Sequence, residues 1–244
     1  METLWITAAA VLWGAGTGLL IPRAAYRLSV PPEEEWRATC PGGHAFAGFR
    51  DSWLGQARCA DGDSYGPSMP AMAAITAAVC AVLSSAVGAH PELLVWLVIV
   101  PVGVLLATVD LTVQRLPDVL TLPLAAISLG LLGVAALLPG TDGNWGRALL
   151  GSLAFSSFCL VMFLINPAAF GFGDVKLAPT VGAVTGWYGW DTLIAGAITG
   201  FVVFVLYGLS LIVARRTDRK TAHPLGPFLL AGAVAGVLLG SLSS

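Results

Sequence analysis

Charge is what this sequence has least of. Twelve Lys and Arg with fourteen Asp and Glu make up 11% of 244 residues, against roughly 25% in an ordinary soluble domain, which excludes a soluble enzyme. A net charge of −2 gives no basic field to neutralise phosphates, so nucleic acid is excluded as a partner. There is no internal repeat of solenoid length. Nor does a basic segment precede the first apolar run: Met1-Glu2-Thr3 comes before it, and Arg23 and Arg27 follow. That run therefore reads as a retained anchor rather than a cleaved signal peptide. Only two of the four cysteines, Cys40 and Cys59, lie outside apolar runs.

What is abundant is apolar sequence, at 57%, together with 29 glycines, a composition suited to helices packed closely within a bilayer. A span needs about 20 apolar residues. Runs of that kind fall near 3–22, 68–88, 92–110, 119–138, 147–165, 175–189, 191–214 and 225–242. The expectation is an all-α polytopic membrane bundle of about eight transmembrane helices with its N-terminus outside. A seven-span layout, merging the sixth and seventh runs, is the alternative. Basic residues arbitrate, because they accumulate in cytoplasmic loops. With eight spans, eleven of the twelve lie on the cytoplasmic side and Arg147 alone outside. Seven spans would set Arg215, Arg216, Arg219 and Lys220 opposite Arg23 to Arg58. Residues 1–67 then form a first anchor plus a cytoplasmic loop containing Pro31-Pro32-Glu33-Glu34-Glu35, too small and polar to bury a core without a metal or a partner. Residues 68–244 form the membrane-embedded domain.

Carboxylates in or beside spans are costly and so informative. Most acids fall in loops, but Asp110, Asp118 and Asp174 sit at span ends, and the layout brings all three to the cytoplasmic face. Asp118, after Pro117, opens the fourth span as an N-cap would, and Asp174, after Gly171-Phe172-Gly173, could cap the sixth. Asp110 ends an apolar run, where an anion opposes the helix dipole, so helix stability does not account for it. Two carboxylates meeting in a partly dry site share one proton, which is the chemistry of an aspartic protease. Gly171 and Gly173 would permit irregular backbone beside Asp174.

Three stretches resemble one family. Asp110-Leu111-Thr112-Val113-Gln114-Arg115-Leu116-Pro117-Asp118 is similar to the first aspartate motif of the bacterial prepilin leader peptidases, the type IV prepilin peptidases among the GxGD membrane aspartyl proteases. Gly171-Phe172-Gly173-Asp174-Val175-Lys176-Leu177 resembles their Gly-x-Gly-Asp motif. Pro224-Leu225-Gly226-Pro227-Phe228-Leu229 resembles the segment opening their last helix. The resemblance implies Asp110 and Asp174 as catalytic acids, supported by Gly171, Gly173, Lys176, Pro117 and Asp118. It also implies cleavage of the leader of a prepilin or pseudopilin at the cytoplasmic face of the inner membrane, with no cofactor for proteolysis.

Many members add methylation of the new terminus, so S-adenosylmethionine is a cofactor only if that activity is retained. Many also carry two Cys-x-x-Cys pairs. Here Gly43 stands at the second cysteine of the first pair and none follows Cys59, so a reduced, unliganded pair is expected instead of zinc, although His44, Asp61 or Asp63 could complete a mixed site. Cys80 and Cys159 are expected to pack within spans, His223 to be solvated, and Lys176 to snorkel or to tune a carboxylate. Trp5, Trp96, Trp145, Trp187 and Trp190 are expected to form an interfacial belt. The rival readings are a transporter or channel using Asp110 and Asp174 for proton or cation coupling, and an inactive assembly scaffold.

Overall fold

Apolar runs interrupted by glycine and proline fold as helices wherever the backbone can satisfy itself, as it must in lipid. A computed structural model of the chain describes residues 2–31, 34–167, 170–214 and 223–243. Its helices are α1 (Glu2–Gly18), α2 (Ile21–Leu28), α3 (Gly48–Trp53), α4 (Met69–Val87), α5 (Glu92–Val113), α6 (Asp118–Ala135), α7 (Trp145–Ile165), α8 (Phe172–Tyr188), α9 (Trp190–Val213) and α10 (Gly226–Ser243). The described residues include no strand beyond two isolated bridges. Seven of the eight anticipated runs each correspond to one helix, and the first, 3–22, is divided between α1 and α2.

α4, α5, α6, α7 and α9 are long and apolar enough to cross a membrane. α1 with α2 makes a sixth span if that pair, bent by 43°, is counted as one. α10 is a shorter apolar helix, and α8, which carries Asp174 and Lys176, is among the most buried. The protein is a polytopic membrane helical bundle. Arg215, Arg216, Arg219 and Lys220, on which the charge argument leaned, lie outside the described residues, as do Pro32 and Glu33.

In lipid the apolar surface of a helix gains little by leaving its solvent, so close approach of backbones carries the packing. Small residues supply it. A methyl on Gly151 of α7 would lie 2.6 Å from the Gly182 carbonyl oxygen of α8, and one on Gly186 2.9 Å from that of Arg147. On the α9/α10 seam, methyls on Gly200 and Gly236 would meet the carbonyl oxygens of Phe228 and Thr192 at 2.7 and 2.6 Å. Gly14 and Gly18 of α1 meet Ala77 and Ala73 of α4 in the same way. The outer face of α9 stays apolar and exposed, at Ile194, Ile198, Val202, Val205, Leu209 and Val213.

These pairings also show that the sixth and seventh anticipated runs are separate helices of opposite direction. α8 runs from Asp174 toward the Arg147 end of α7. Thr192, at the start of α9, meets the far end of α10 at Gly236 and Gly240, whereas Tyr207 meets His223 and Phe228 beside the start of α10. The chain therefore reverses at Gly189, the single residue between α8 and α9, whose φ of 153° suits glycine.

Three expectations are corrected. The first helix stops at Gly18, and Pro22 in the first turn of α2 starts a new helix in a new direction. The segment after it does bury a small core: Cys40, Ala57, Cys59 and Tyr65 pack with Tyr26 and Phe46. Arginine stacking extends that core, with Arg27 over Trp53 at 4.1 Å and Arg37 over Tyr26 at 4.5 Å. Of the tryptophans, Trp5, Trp145 and Trp190 are exposed, but Trp187 is wholly buried and Trp96 donates its indole N–H to the Tyr188 hydroxyl, so those two belong to the core and not to a belt. Cys80 and Cys159 are buried packing residues as expected.

Candidate active site

Four connections gather at one end of the bundle: the segment after α2, α5–α6, α7–α8 and the entry to α10. They enclose a cavity of about 600 Å³. Asp110, Pro117, Asp118, Gly171, Gly173, Asp174 and Lys176, every site residue anticipated from the sequence, line it.

α5 continues to Val113, so Asp110 lies in its last turn and not at its end. Gln114 then adopts a left-handed conformation (φ 52°) and its N–H donates to the Asp110 carbonyl at 2.8 Å, which ends the helix and sends Arg115 to Pro117 along the cavity wall. The Asp110 side chain is buried, and the first amide of α10, Gly226 N–H, donates to its Oδ2 at 3.1 Å. A methyl on Gly226 would lie 2.7 Å from that oxygen, so glycine is required for the approach.

Asp174 is the third residue after the N-cap Gly171 of α8 and is equally buried. The Gly171 backbone N–H is hydrogen-bonded to its carboxylate, the reach-back of a capping box. Each aspartate is thus held by a glycine amide, and the two are near enough for their charges to interact. Leu116 fixes the spacing of the surrounding loops. Its side chain is buried against both Gly173 and Gly226, where added methyls would approach it at 3.1 and 3.2 Å.

Asp118 is no N-cap. Pro117 holds that position without a side-chain bond, and Asp118, the first residue of α6, pairs with Lys176. Lys176 also lies 4.7 Å from the Phe172 ring, so it joins α6 to α8 across the cavity wall. His223, expected in solvent, lines the cavity and packs edge-on to Tyr207. Trp36, Gln114 and Arg115 were not anticipated. Gln114 and Arg115 lie within the Asp110–Asp118 motif and His223 stands beside Pro224-Leu225-Gly226, so position gave a signal for these three, whereas nothing in the sequence pointed to Trp36.

The zinc expectation can be tested at the cysteines. Cys40 and Cys59 head two turns of the same build: the Cys40 N–H donates to the His44 carbonyl and that of Cys59 to the Asp63 carbonyl, with Gly43 and Gly62 at positive φ. The turns bring ligand atoms of Cys40, His44 and Cys59 within 4.8 Å of one another, and His44 Nδ1 lies 3.8 Å from Asp61. Two sulfurs, an imidazole and a neighbouring carboxylate fit tetrahedral zinc, which would cross-link the turns when bound. Burial works to raise the Cys40 thiol, but hydrogen bonds from Cys59, His44 and Gly42 outweigh it and bring it down to about 7. His44 is raised by its bond to Cys40 and then by Asp61, and Cys59 is raised by its bond to Cys40.

The sequence profile of the type IV leader peptidase family matches residues 93–241, which contain both aspartates and the entry to α10. The chain belongs to the type IV leader peptidase family. It is 30% identical over 249 residues to a prepilin leader peptidase/N-methyltransferase of Pectobacterium carotovorum subsp. carotovorum, a match covering 93% of this chain and 81% of that protein. A protein of the same name from Pseudomonas putida is 34% identical over 170 residues, covering 66% of this chain and 56% of its own. One from Stutzerimonas stutzeri is 32% identical over 132 residues, covering 53% and 44%. The chain thus spans about half the length of the latter two. No solved structure matches it.

Proposed function

We infer that this member of the type IV leader peptidase family is a membrane aspartyl endopeptidase that removes the leader of prepilin or pseudopilin substrates, with Asp110 and Asp174 as its catalytic pair. The observation that carries the reading is the burial of both carboxylates on one cavity, each held by a glycine amide. One carboxylate draws a proton from a bound water while the other, protonated, donates to the scissile carbonyl. The roles reverse as the amine leaves. The Gly226 amide on Oδ2 fixes the orientation of the Asp110 carboxylate on the cavity.

The cavity opens where the loops gather, and the bias of basic residues toward the connections at that end supports a cytoplasmic site at the inner membrane, where a substrate's short leader would lie. Residues 68–244 are the peptidase domain, and 1–67 add an anchor whose loop reaches the cavity through Trp36. Proteolysis needs neither metal nor cofactor. Methylation with S-adenosylmethionine rests on the relatives' names. Of the aromatic and carboxylate groups on the cavity that could face its sulfonium, Phe172 and Asp118 are already engaged by Lys176.

The test is coexpression with candidate prepilins of the same genome, reading the substrate's N-terminus by intact mass. Leader loss with wild type but not with Asp110→Asn or Asp174→Asn is expected, and an added methyl would report the second activity. Cleavage by either variant would remove the two-aspartate mechanism. Several candidates left uncut by wild type, with ion flux abolished by Asp174→Asn, would favour a transporter.

A further inference from the structure

The opposite end of the bundle holds a second polar cluster that proteolysis does not use. His90 precedes α5, Glu92 is the first residue of α5, and Asp142 lies fifty residues on, in the α6–α7 connection. Ligand atoms of all three lie within 4.8 Å of one another.

The hydrogen bonding leaves this cluster incomplete. His90 Nδ1 lies 2.6 Å from the Gly140 carbonyl oxygen. A carbonyl only accepts, so Nδ1 carries a proton, and in the neutral ring Nε2 presents its lone pair to Asp142 Oδ2 at 3.2 Å, acceptor facing acceptor. Glu92 is 1% exposed, and the Asp142 amide donates to its Oε1 at 3.2 Å. Its Oε2 is buried and receives no hydrogen bond from the described residues. A second proton on His90 would settle the facing acceptors but leave Glu92 Oε2 unserved. A cation held by all three would replace the facing acceptors by two ligands and give the buried Glu92 carboxylate a charged partner.

We propose that His90, Glu92 and Asp142 form a binding site for a divalent transition-metal ion of the zinc type, which staples the α4–α5 corner to the α6–α7 connection. One imidazole nitrogen with two carboxylates is a nitrogen–oxygen donor set that suits zinc and its neighbours and not calcium or magnesium, which take oxygen ligands. The two carboxylate charges balance the ion. The Gly140 carbonyl braces the imidazole through its other nitrogen, the usual outer support of a metal-bound histidine. The exposed side of Asp142 leaves a position open to water.

The full-length protein, purified in detergent and stripped with EDTA, can be titrated with Co2+ as a spectroscopic stand-in for Zn2+. The expected result is one equivalent bound with a visible spectrum of nitrogen–oxygen type. Any metal at Cys40 and Cys59 is told apart by thiolate-to-cobalt charge transfer. His90→Gln and Asp142→Asn, both at the surface, are each expected to weaken the nitrogen–oxygen component at least tenfold and to leave the thiolate component unchanged. Absence of that component in the wild type, or its persistence in either variant, overturns the proposal.

Discussion

Replacing Gly226 by alanine should separate chemistry from stability at the aspartate pair. The added methyl would sit 2.7 Å from Asp110 Oδ2 and 3.2 Å from Leu116 Cδ1. A carbon and an oxygen rest about 3.3–3.6 Å apart, so about 0.6–0.9 Å must be found. The carboxylate is the end of a short side chain and can rotate away, whereas the α10 backbone is packed on α9 and cannot retreat as easily. The clash therefore falls on Asp110. A displacement approaching 1 Å at a reacting group costs about 10²-fold, or about 2.7 kcal/mol of activation free energy. The hydrogen bond from residue 226 to an ionised carboxylate, worth about 1.5–3 kcal/mol, is strained in the same movement. Gly226→Ala is thus expected to lower kcat for leader removal about 10–100-fold while the thermal midpoint in detergent moves little. Single-turnover cleavage of a purified prepilin would measure the first and light-scattering melts the second. Cleavage within about twofold of wild type would refute the reasoning that this amide positions the catalytic acid.

Lys176→Met removes a partly exposed ion pair to Asp118, so a stability loss under about 1 kcal/mol is expected, with cleavage reduced far less than by Asp174→Asn; equal losses would mean that Lys176 acts on the carboxylates directly. Gly182→Val forces α7 and α8 apart at their closest backbone approach and should lower the thermal midpoint and the yield of folded protein, while Gly16→Ala, where a methyl meets nothing within 4 Å, should change neither. In EDTA-treated protein the thiolate of Cys40 forms as pH rises through about 7, so its alkylation should be half-maximal there, and His44→Ala should move the midpoint upward; mass mapping of iodoacetamide adducts across pH 5–10 reads both. Zinc supplied before alkylation should protect Cys40 and Cys59 together, and modification of Cys40 at an undiminished rate would count against a metal there.

The helices were legible because membrane spans need long apolar runs, whereas the reversal at Gly189 was not, because the run 175–189 takes that glycine in and only the distribution of basic residues argued against merging it with the next. The aspartates were legible as a pair because alternating spans carry every second connection to one face, even though neither motif states a distance. What lay beyond the sequence depends on contacts between distant segments. Leu116 wedged between Gly173 and Gly226 reads as one more apolar residue until the fold sets both glycines against it. Asp118 carried the local signature of an N-cap, and Lys176, fifty-eight residues away, claimed its side chain instead. Trp96 and Trp187 stood at span ends like belt residues, but those ends turn inward onto Tyr188 and the core. The compact segment after α2 was missed because its cohesion comes from arginines stacked on aromatic rings, a contact that a count of polar residues scores as solubility.

The amide that holds Asp110 belongs to a residue 116 positions later in the chain. Synthesis runs in one direction, so the carboxylate and most of the cavity wall exist in the membrane well before residue 226 leaves the ribosome. Until α10 inserts, Asp110 has no donor on Oδ2 and the cavity lacks the wall formed by Pro224 and Leu225. A nascent or truncated chain that stops short of that point carries both aspartates but neither the amide that holds one of them nor that stretch of wall, so the cavity is completed only by the last segment to be made.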